Sequence, residues 1–127
     1  MNPYNNNPDI NMTPEDKELL SEVISVRTVT LLHPISPIQY KIQVRSIEKT
    51  ILHLGGITKS IEDIGIKTID RVLVYQKIFF GRVRIIHMDN SEIIIDQISK
   101  SNTILIKEFF EKVVEFQRRN VVNIAKD

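Results

Sequence analysis

The sequence predicts a mainly β domain of the α+β class. We expect a two-sheet sandwich or partly open barrel of about seven short strands, with a short N-terminal helix and a C-terminal amphipathic helix as a cap. Three observations support this fold. The apolar residues are mostly β-branched, with 22 Ile and 11 Val against 8 Leu and one Ala, and such residues suit a pleated, half-buried surface. Short apolar segments, one of them strictly alternating, fill the middle of the chain, and a segment with helical spacing follows them.

The N-terminal part predicts a leader and a short helix. Residues 1–12 hold five Asn and two Pro and are expected to form a flexible leader, with a docking tail as the alternative. Thr13 then suits an N-cap, Pro14 suits the first turn, and the acids Glu15 and Asp16 complement the positive end of the helix dipole. This helix should cover roughly residues 14–23, within a single domain that spans residues 13–120.

The strands are predicted from period-two patterns and from the turns between them. Alternation is clearest over residues 38–45, where apolar and polar side chains follow each other strictly. In chain order the predicted strands are residues 24–32, 38–45, 50–54, 57–61, 69–76, 82–88 and 92–98. Prolines interrupt residues 33–37, two glycines form a turn at 55–56, and turns are also expected at 62–65, 77–81 and 89–91.

The last element is predicted to be an amphipathic helix over residues 103–119. Its apolar stripe is Ile106, Phe109, Phe110, Val113 and Val114, at spacings of three and four. Ser101 or Asn102 can supply the N-cap, and residues 121–127 are expected to be a frayed tail. Since seven short strands must stack or close to hide their edges, and the helix needs a partner for its phenylalanines, a capped sandwich satisfies both demands.

Composition excludes several classes of protein. The chain has no cysteine, which excludes disulfide frameworks, thiol catalysis and cysteine-ligated metals. Its 17 basic and 16 acidic residues leave a net charge of +1, which counts against nucleic acid as a partner. No apolar run approaches the roughly 18 residues of a membrane span, and no signal-peptide pattern is found. We therefore expect a folded cytoplasmic protein.

No residue pattern predicts catalysis, a metal or a cofactor. The three histidines lack the spacing of a metal motif. The His87-x-Asp89 pair could hold a metal or relay a proton, but it is interpreted as the end of a hairpin with Asp89 in the turn. Gly55, Gly56 and Gly81 lie between predicted strands and not before a helix, so they are interpreted as turn residues and not as a phosphate loop.

Three patterns carry a family resemblance. Residues 49–56 end a strand in a glycine turn, and residues 64–72 lead with spaced isoleucines into the fifth strand. Residues 80–85 and 89–92 form a hairpin led by a glycine. In these features the stretch 40–114 resembles the bacterial pleckstrin-homology (PH-like) domains. The resemblance implies a module without enzymatic activity and without a cofactor. It also implies action through binding or assembly, since some members of that family form rings.

The strongest candidate surface contact is the cluster of Lys77, Phe79, Phe80, Arg82 and Arg84. Aromatic side chains flanked by cations could dock on an anionic membrane, where each cation near the surface contributes about 1 kcal/mol. The same cluster could contact a protein or, less plausibly, stack the bases of a nucleic acid. The alternative is a purely structural role, in which both phenylalanines lie in the core or in a subunit interface and the cations lie on a solvated strand face.

A weaker candidate is a set of cations on the first strands, Arg27, Lys41 and Arg45. Such residues could bind an anionic headgroup, although a plain solvated strand face explains them better. Ile93, Ile94 and Ile95 place apolar groups on both faces of one strand, which hints at a cover such as a helix or another subunit. The sequence thus favours a binding or assembly module that contacts a protein partner or itself. Anionic-lipid binding is the alternative.

Overall fold

The computed structural model describes residues 12–29, 37–53 and 57–125, and the side chains of these residues up to Arg119. The described part contains two helices and seven strands. In chain order they are α1 (Pro14–Ser21), β1 (Ile24–Arg27), β2 (Ile38–Ile42), β3 (Ser46–His53), β4 (Thr58–Gly65), β5 (Ile69–Gln76), β6 (Gly81–His87), β7 (Glu92–Ile98) and α2 (Lys100–Ala125).

The strands form two antiparallel sheets, which confirms the predicted mainly β, α+β sandwich. Sheet A has the order β1-β2-β3-β4 and sheet B has the order β5-β6-β7. The sheets meet at one corner, where the backbone N–H of Val29, after β1, donates to the carbonyl of Gln97 in β7 at 2.8 Å. At the other side no strand pairing joins β4 to β5 among the described residues.

The core is shared by both sheets and by α2. The inward side chains of sheet A include Tyr40, Ile42 and Ile47, in keeping with the alternation of β2. Sheet B and α2 contribute the further buried residues Val83, Ile85, Ile93, Ile95, Ile98, Ile106, Phe109, Phe110, Val113 and Phe116. The predicted helical stripe therefore packs into the sandwich, and only its member Val114 remains partly exposed.

An ion pair joins α1 to α2 next to this core. Thr13 caps α1 by accepting from the Asp16 N–H, and the Asp16 carboxylate accepts from the Thr13 N–H, each at 3.2 Å. The same carboxylate accepts two hydrogen bonds from the Arg119 guanidinium, at 2.8 and 2.5 Å. Asp16 thus serves both as a cap and as the anchor of α2.

Several element predictions are wrong in detail. β1 ends at Arg27 and β2 at Ile42, before their predicted ends, and β3 begins at Ser46 and not at Thr50. Residues 43–45 form a tight turn instead, in which the Gln43 N–H donates to the Ser46 carbonyl at 2.9 Å.

Residues 62–65 are the second half of β4 and not a turn, because they pair with the first half of β3 in unbroken register. The N-cap of α2 is Ser99, and neither Ser101 nor Asn102, since the Ser99 hydroxyl accepts from the Asn102 N–H at 3.2 Å. As a result α2 begins at Lys100, before the predicted start, and it continues to Ala125, beyond the predicted end.

Some predictions fall outside the described residues. These are the leader up to residue 11, the end of the first predicted strand with most of its proline loop, the turn at 55–56 and the last two residues of the tail. Both other predicted turns occur: residues 77–80 connect β5 to β6, so that Gly81 already belongs to β6, and residues 88–91 connect β6 to β7.

Candidate interaction site

The β5–β6 hairpin presents two large apolar side chains at its tip. The turn is closed by the Lys77 N–H, which donates to the carbonyl of Phe80 at 2.7 Å. Ile78 and Phe79 are each 79% exposed. Phe80 is half-buried, and the Lys77 ammonium lies 5.4 Å from its ring centroid, within cation–π range. The structure therefore separates the two predicted aromatics, since Phe79 faces solvent and Phe80 packs under Lys77.

The two arginines of the predicted cluster lie on β6 and are ion-paired. Arg82 donates to Asp96 on β7 at 3.0 Å. Arg84 donates to Glu92 at 2.6 and 3.0 Å and to the Tyr75 hydroxyl at 3.2 Å. The hydrogen bond to Glu92 raises the pKa of Arg84 above its ordinary value. Because β7 acids offset both charges, Lys77 is the cation of this cluster without an acidic partner among the described residues.

The weaker cation set is only partly brought together. Arg27 and Lys41 line one shallow depression of about 480 Å³ on sheet A, together with Gln39 and Glu48. With its amide oxygen turned toward β1, Gln39 accepts from Arg27 Nε at 3.0 Å. Arg45 lies elsewhere, in a depression lined by Leu20 and by residues of the β2–β3 turn. The acid Glu48, directly opposite Lys41 in the register, makes this surface poorly suited to a phosphate.

The strand β4 is an open edge of sheet A. It pairs with β3 on one side, and no described strand pairs with its other side. Every residue of β4 except Ile64 is exposed, and Ile61 is 54% exposed although it is a large apolar residue. The register with β3 runs through all eight residues of β4 without a bulge. The strand also contains no proline, so two of the common devices that protect a sheet edge are missing.

The register shows which backbone groups of β4 face outward. In an antiparallel pair the N–H and C=O of a residue point to one side, and the side alternates along the strand. Ser46 and Leu52 of β3 bond toward β2, through the Gln43 N–H to Ser46 and the Leu52 N–H to Pro37. The odd-numbered residues of β3 therefore bond toward β4, where they are opposite even-numbered residues. It follows that the outward N–H and C=O groups of β4 belong to Lys59, Ile61, Asp63 and Gly65.

The other sheet edges differ from β4. The edge of sheet A at β1 leads into the corner where Val29 bonds Gln97. In sheet B both pairings contain a register shift. The outer strand β5 packs against α2, and a groove of about 300 Å³ between them is lined by both elements. Within the described parts of the chain, β4 is thus a long edge strand with a regular register and with no strand along its outer side.

His87, Ser91 and Asp89 form a hydrogen-bonded chain at the β6–β7 turn. The Ser91 hydroxyl donates to Asp89 Oδ1 at 2.5 Å and lies 3.0 Å from His87 Nδ1. The serine stands between acid and histidine, whereas a nucleophilic triad places the histidine in the middle. Lys67 binds the other Asp89 oxygen at 2.8 Å and is the main reason that the pKa of Asp89 lies far below its usual range. This arrangement fastens the turn, in which Asn90 adopts a positive φ of 70°.

The described residues contain no group of three or more histidine or acidic side chains placed to hold a metal. Neither described helix combines the length and the apolar character that a transmembrane span requires. Comparisons of the chain with protein-family models, curated proteins and solved structures gave no match. The resemblance to PH-like domains therefore stays a prediction.

Sequence reasoning missed the edge residues Lys59, Ile61 and Asp63. The run Glu62-Asp63-Ile64-Gly65 has turn-like composition, and this hid the second half of β4. No local pattern marked them, because the large apolar residues of the segment, Ile61 and Ile64, are three positions apart and a half-buried strand is recognised by apolar residues two apart. That β4 has an open side depends on the order of the strands, which the sequence did not reveal.

Proposed function

We propose that this chain is a non-catalytic PH-like module that binds protein chains by adding a strand to sheet A. The observation that carries the proposal is the open edge of β4, with every residue except Ile64 exposed and with an unbroken register. Unpaired N–H and C=O groups along a straight edge are a template for an extended segment of another chain. Main-chain hydrogen bonds give such contacts affinity, and side chains near the edge select the partner.

The composition of β4 supports a specific contact. Lys59, Ile61 and Asp63 share one face of the strand, since side chains alternate with a period of two. A cation, a large apolar group and an anion therefore lie at three successive outward backbone positions. A partner strand with complementary charges around an apolar residue would fit this edge.

Site-specific photo-crosslinking in the cells that make the protein tests the proposal. A photo-reactive residue replaces Ile57, which is 79% exposed just before β4. We expect irradiation to yield a covalent adduct with a protein chain. The same residue in place of the exposed Met88, in the β6–β7 turn, is the control and should yield none.

A second variant shows whether the adduct depends on strand addition. Ile61→Pro removes one outward N–H and leaves the hydrogen bonds between β3 and β4 in place, so it should abolish the adduct at position 57. Circular dichroism checks that this variant is folded. Absence of an adduct in the parent protein, or an adduct that persists in folded Ile61→Pro, overturns the proposal.

Binding to an anionic membrane is a second candidate, favoured by the exposed tip of the β5–β6 hairpin. Ile78 and Phe79 could enter the lipid interface while Lys77 meets the headgroups. The ion pairs of Arg82 with Asp96 and of Arg84 with Glu92 reduce the charge that this surface offers. The tip therefore supports a contact dominated by its apolar side chains.

Flotation with vesicles that contain an anionic lipid tests the second candidate. The candidate predicts flotation that the Ile78→Ser/Phe79→Ser variant loses. The Arg82→Gln/Asp96→Asn variant should retain it, since this change removes an ion pair without altering the net charge. Flotation that is absent, or unchanged in the double variant, rejects a membrane contact at the hairpin tip.

A further inference from the structure

We infer that the strand which β4 accepts is β4 of a second copy of this chain, antiparallel about a two-fold axis at Ile61. The inference rests on the proposed function and names its partner. In this arrangement the two four-stranded sheets become one continuous sheet. The contact uses the β4 edge of both copies, so it closes at two and leaves no β4 edge open for a third copy.

The backbone geometry sets the allowed registers. The outward N–H and C=O groups belong to odd-numbered residues, so hydrogen-bonded pairs across the axis must join odd to odd. With Ile61 opposite Ile61 of the second copy, Lys59 falls opposite Asp63, and Asp63 falls opposite Lys59. The outward N–H and C=O groups of one copy then face those of the second copy along the whole edge.

The side chains distinguish this register from its neighbours. Residues directly opposite each other point to the same face, where opposite charges attract and apolar groups pack. The register at Ile61 places an isoleucine pair between two ion pairs. A slip by one hydrogen-bonded step places Lys59 opposite Ile61, or Asp63 opposite Ile61, and loses both ion pairs. The segment Lys59-x-Ile61-x-Asp63 is therefore complementary in charge to an antiparallel copy of itself.

Neither charge has a competing partner within the described chain. Lys59 and Asp63 form no ion pair with any described residue. By contrast, Arg82 and Arg84 on sheet B are held by acids of their own sheet. The charges on the β4 edge are thus free to pair across the axis, and the exposed side chain of Ile61 would be covered there.

Charge reversal with complementation tests the inference on purified full-length protein. Light scattering coupled to size exclusion, over a concentration series, should show mass rising from 14.7 kDa toward twice that value. Lys59→Asp alone, or Asp63→Lys alone, places like charges opposite each other twice per dimer. Each should raise the dissociation constant about tenfold or more.

Two complementations restore the opposite charges. The double variant Lys59→Asp/Asp63→Lys should dimerise like the parent protein, because each pair is merely exchanged. An equimolar mixture of the two single variants should form a heterodimer, since every facing pair is again opposite in sign. Lys17→Asp, which makes the same charge change on the exposed face of α1, is the control and should not alter dimerisation.

Amide exchange gives a readout that needs no substitution. At concentrations that favour the dimer, the amides of Lys59, Ile61 and Asp63 should exchange more slowly than in dilute protein. The amides of Ser60 and Glu62 already bond to β3 and should change less. The inference is overturned if the protein is a monomer at every concentration. It is also overturned if neither charge reversal changes the dissociation constant of the dimer.

The failure of this inference can be told from failure of the proposed function. An Ile57 crosslink to a different chain, with purified protein monomeric, means that strand addition occurs but the partner is not a second copy. Absence of any Ile57 crosslink means that both are wrong.

Discussion

Asp16 shows how one residue can tie local and tertiary structure together. Its side chain is only 6% exposed, and burial alone would disfavour the charged form. The bidentate contact with Arg119 and the bond from the Thr13 N–H offset that cost. The Arg119 hydrogen bond is the largest influence and holds the pKa of Asp16 below its ordinary value of 3.8. The carboxylate is therefore charged in the folded protein at neutral pH.

Substitution of Asp16 by asparagine should destabilise the domain. Asp16→Asn keeps a similar shape and a cap oxygen but removes the charge that Arg119 faces, so we expect a loss of about 2 kcal/mol in the free energy of unfolding. Denaturant titration at pH 7 measures it. Glu15→Gln, an exposed acid in the same helical turn, should change stability by less than about 0.5 kcal/mol. Equal effects of the two substitutions would contradict this role of Asp16.

His87 is expected to make the stability of the fold depend on pH in mild acid. Its side chain is 3% exposed, and its Nε2 atom has no hydrogen-bond partner in the described part of the chain. Burial lowers the pKa of His87 below its ordinary value of 6.5, aided by nearby Lys67 and opposed by Asp89 and the Ser91 hydrogen bond. Since the unfolded chain takes up the proton more readily, the contribution of His87 is present above about pH 6.5 and is lost as the pH falls through the lowered pKa.

We therefore expect the free energy of unfolding to fall between pH 7.5 and pH 5, by more in the parent protein than in His87→Gln. Denaturant titrations at a series of pH values measure the difference between the two proteins. Parallel curves over this range would show that His87 is not the responsible group.

At the scale of an element, the start of α2 is matched to the β5–β6 hairpin. Gly81 opens β6 in the space between that hairpin and the helix, and the Gln76 side chain donates to the Thr103 hydroxyl at 3.1 Å. A Cβ atom at position 81 would lie 2.6 Å from the Tyr75 carbonyl oxygen and 2.7 Å from Thr103 Cγ2. Glycine at 81 is thus required by close approach.

A methyl group at position 81 should force these elements apart. Gly81→Ala is expected to cost about 2 kcal/mol of stability, in the range typical of overpacking. Gly65→Ala at the end of β4 is a matched control, since a Cβ there meets nothing within 4 Å. Thermal unfolding of both variants checks the prediction, which a stable Gly81→Ala protein would refute.

At the scale of the whole molecule, one core couples two sheets that barely share a strand pairing. Phe110 is fully buried, and its ring meets Phe109 edge to face with centroids 5.2 Å apart. The same cluster includes Ile47 from sheet A and Val83 from sheet B. Because the sheets are held together mainly by this packing, they should lose their structure together.

Truncation of Phe110 tests that coupling. Phe110→Ala should cost about 3–5 kcal/mol through lost burial and the cavity that remains. Amide exchange should show sheets A and B destabilised by similar amounts, as a single cooperative unit requires. Phe79→Ala, at an exposed tip, should leave stability nearly unchanged. Selective loss of sheet B alone would mean that the sheets unfold independently.

Local patterns predicted most of the elements correctly. The alternation over residues 38–45 predicted β2 and its inward side chains, because period two is a property of the extended backbone, although the strand ends at Ile42. The helical stripe around Phe110 was likewise predicted from spacing alone. Errors arose where two local signals competed, as at Glu62 to Gly65, where turn-like residues lie in a strand. There the neighbouring strand decided the outcome.

Features of the candidate sites were likewise either predictable from local sequence or decided by the tertiary structure. The sequence by itself determined a β-rich sandwich with an apolar and basic hairpin, because composition, period and turn residues act over a few positions. Only the tertiary structure decided that Arg82 and Arg84 are neutralised by acids of β7. It also decided that β4 lies at an edge with Lys59, Ile61 and Asp63 facing outward. The physical reason is that pairing partners and sheet edges depend on which distant segments meet, and this information is not contained in any local pattern.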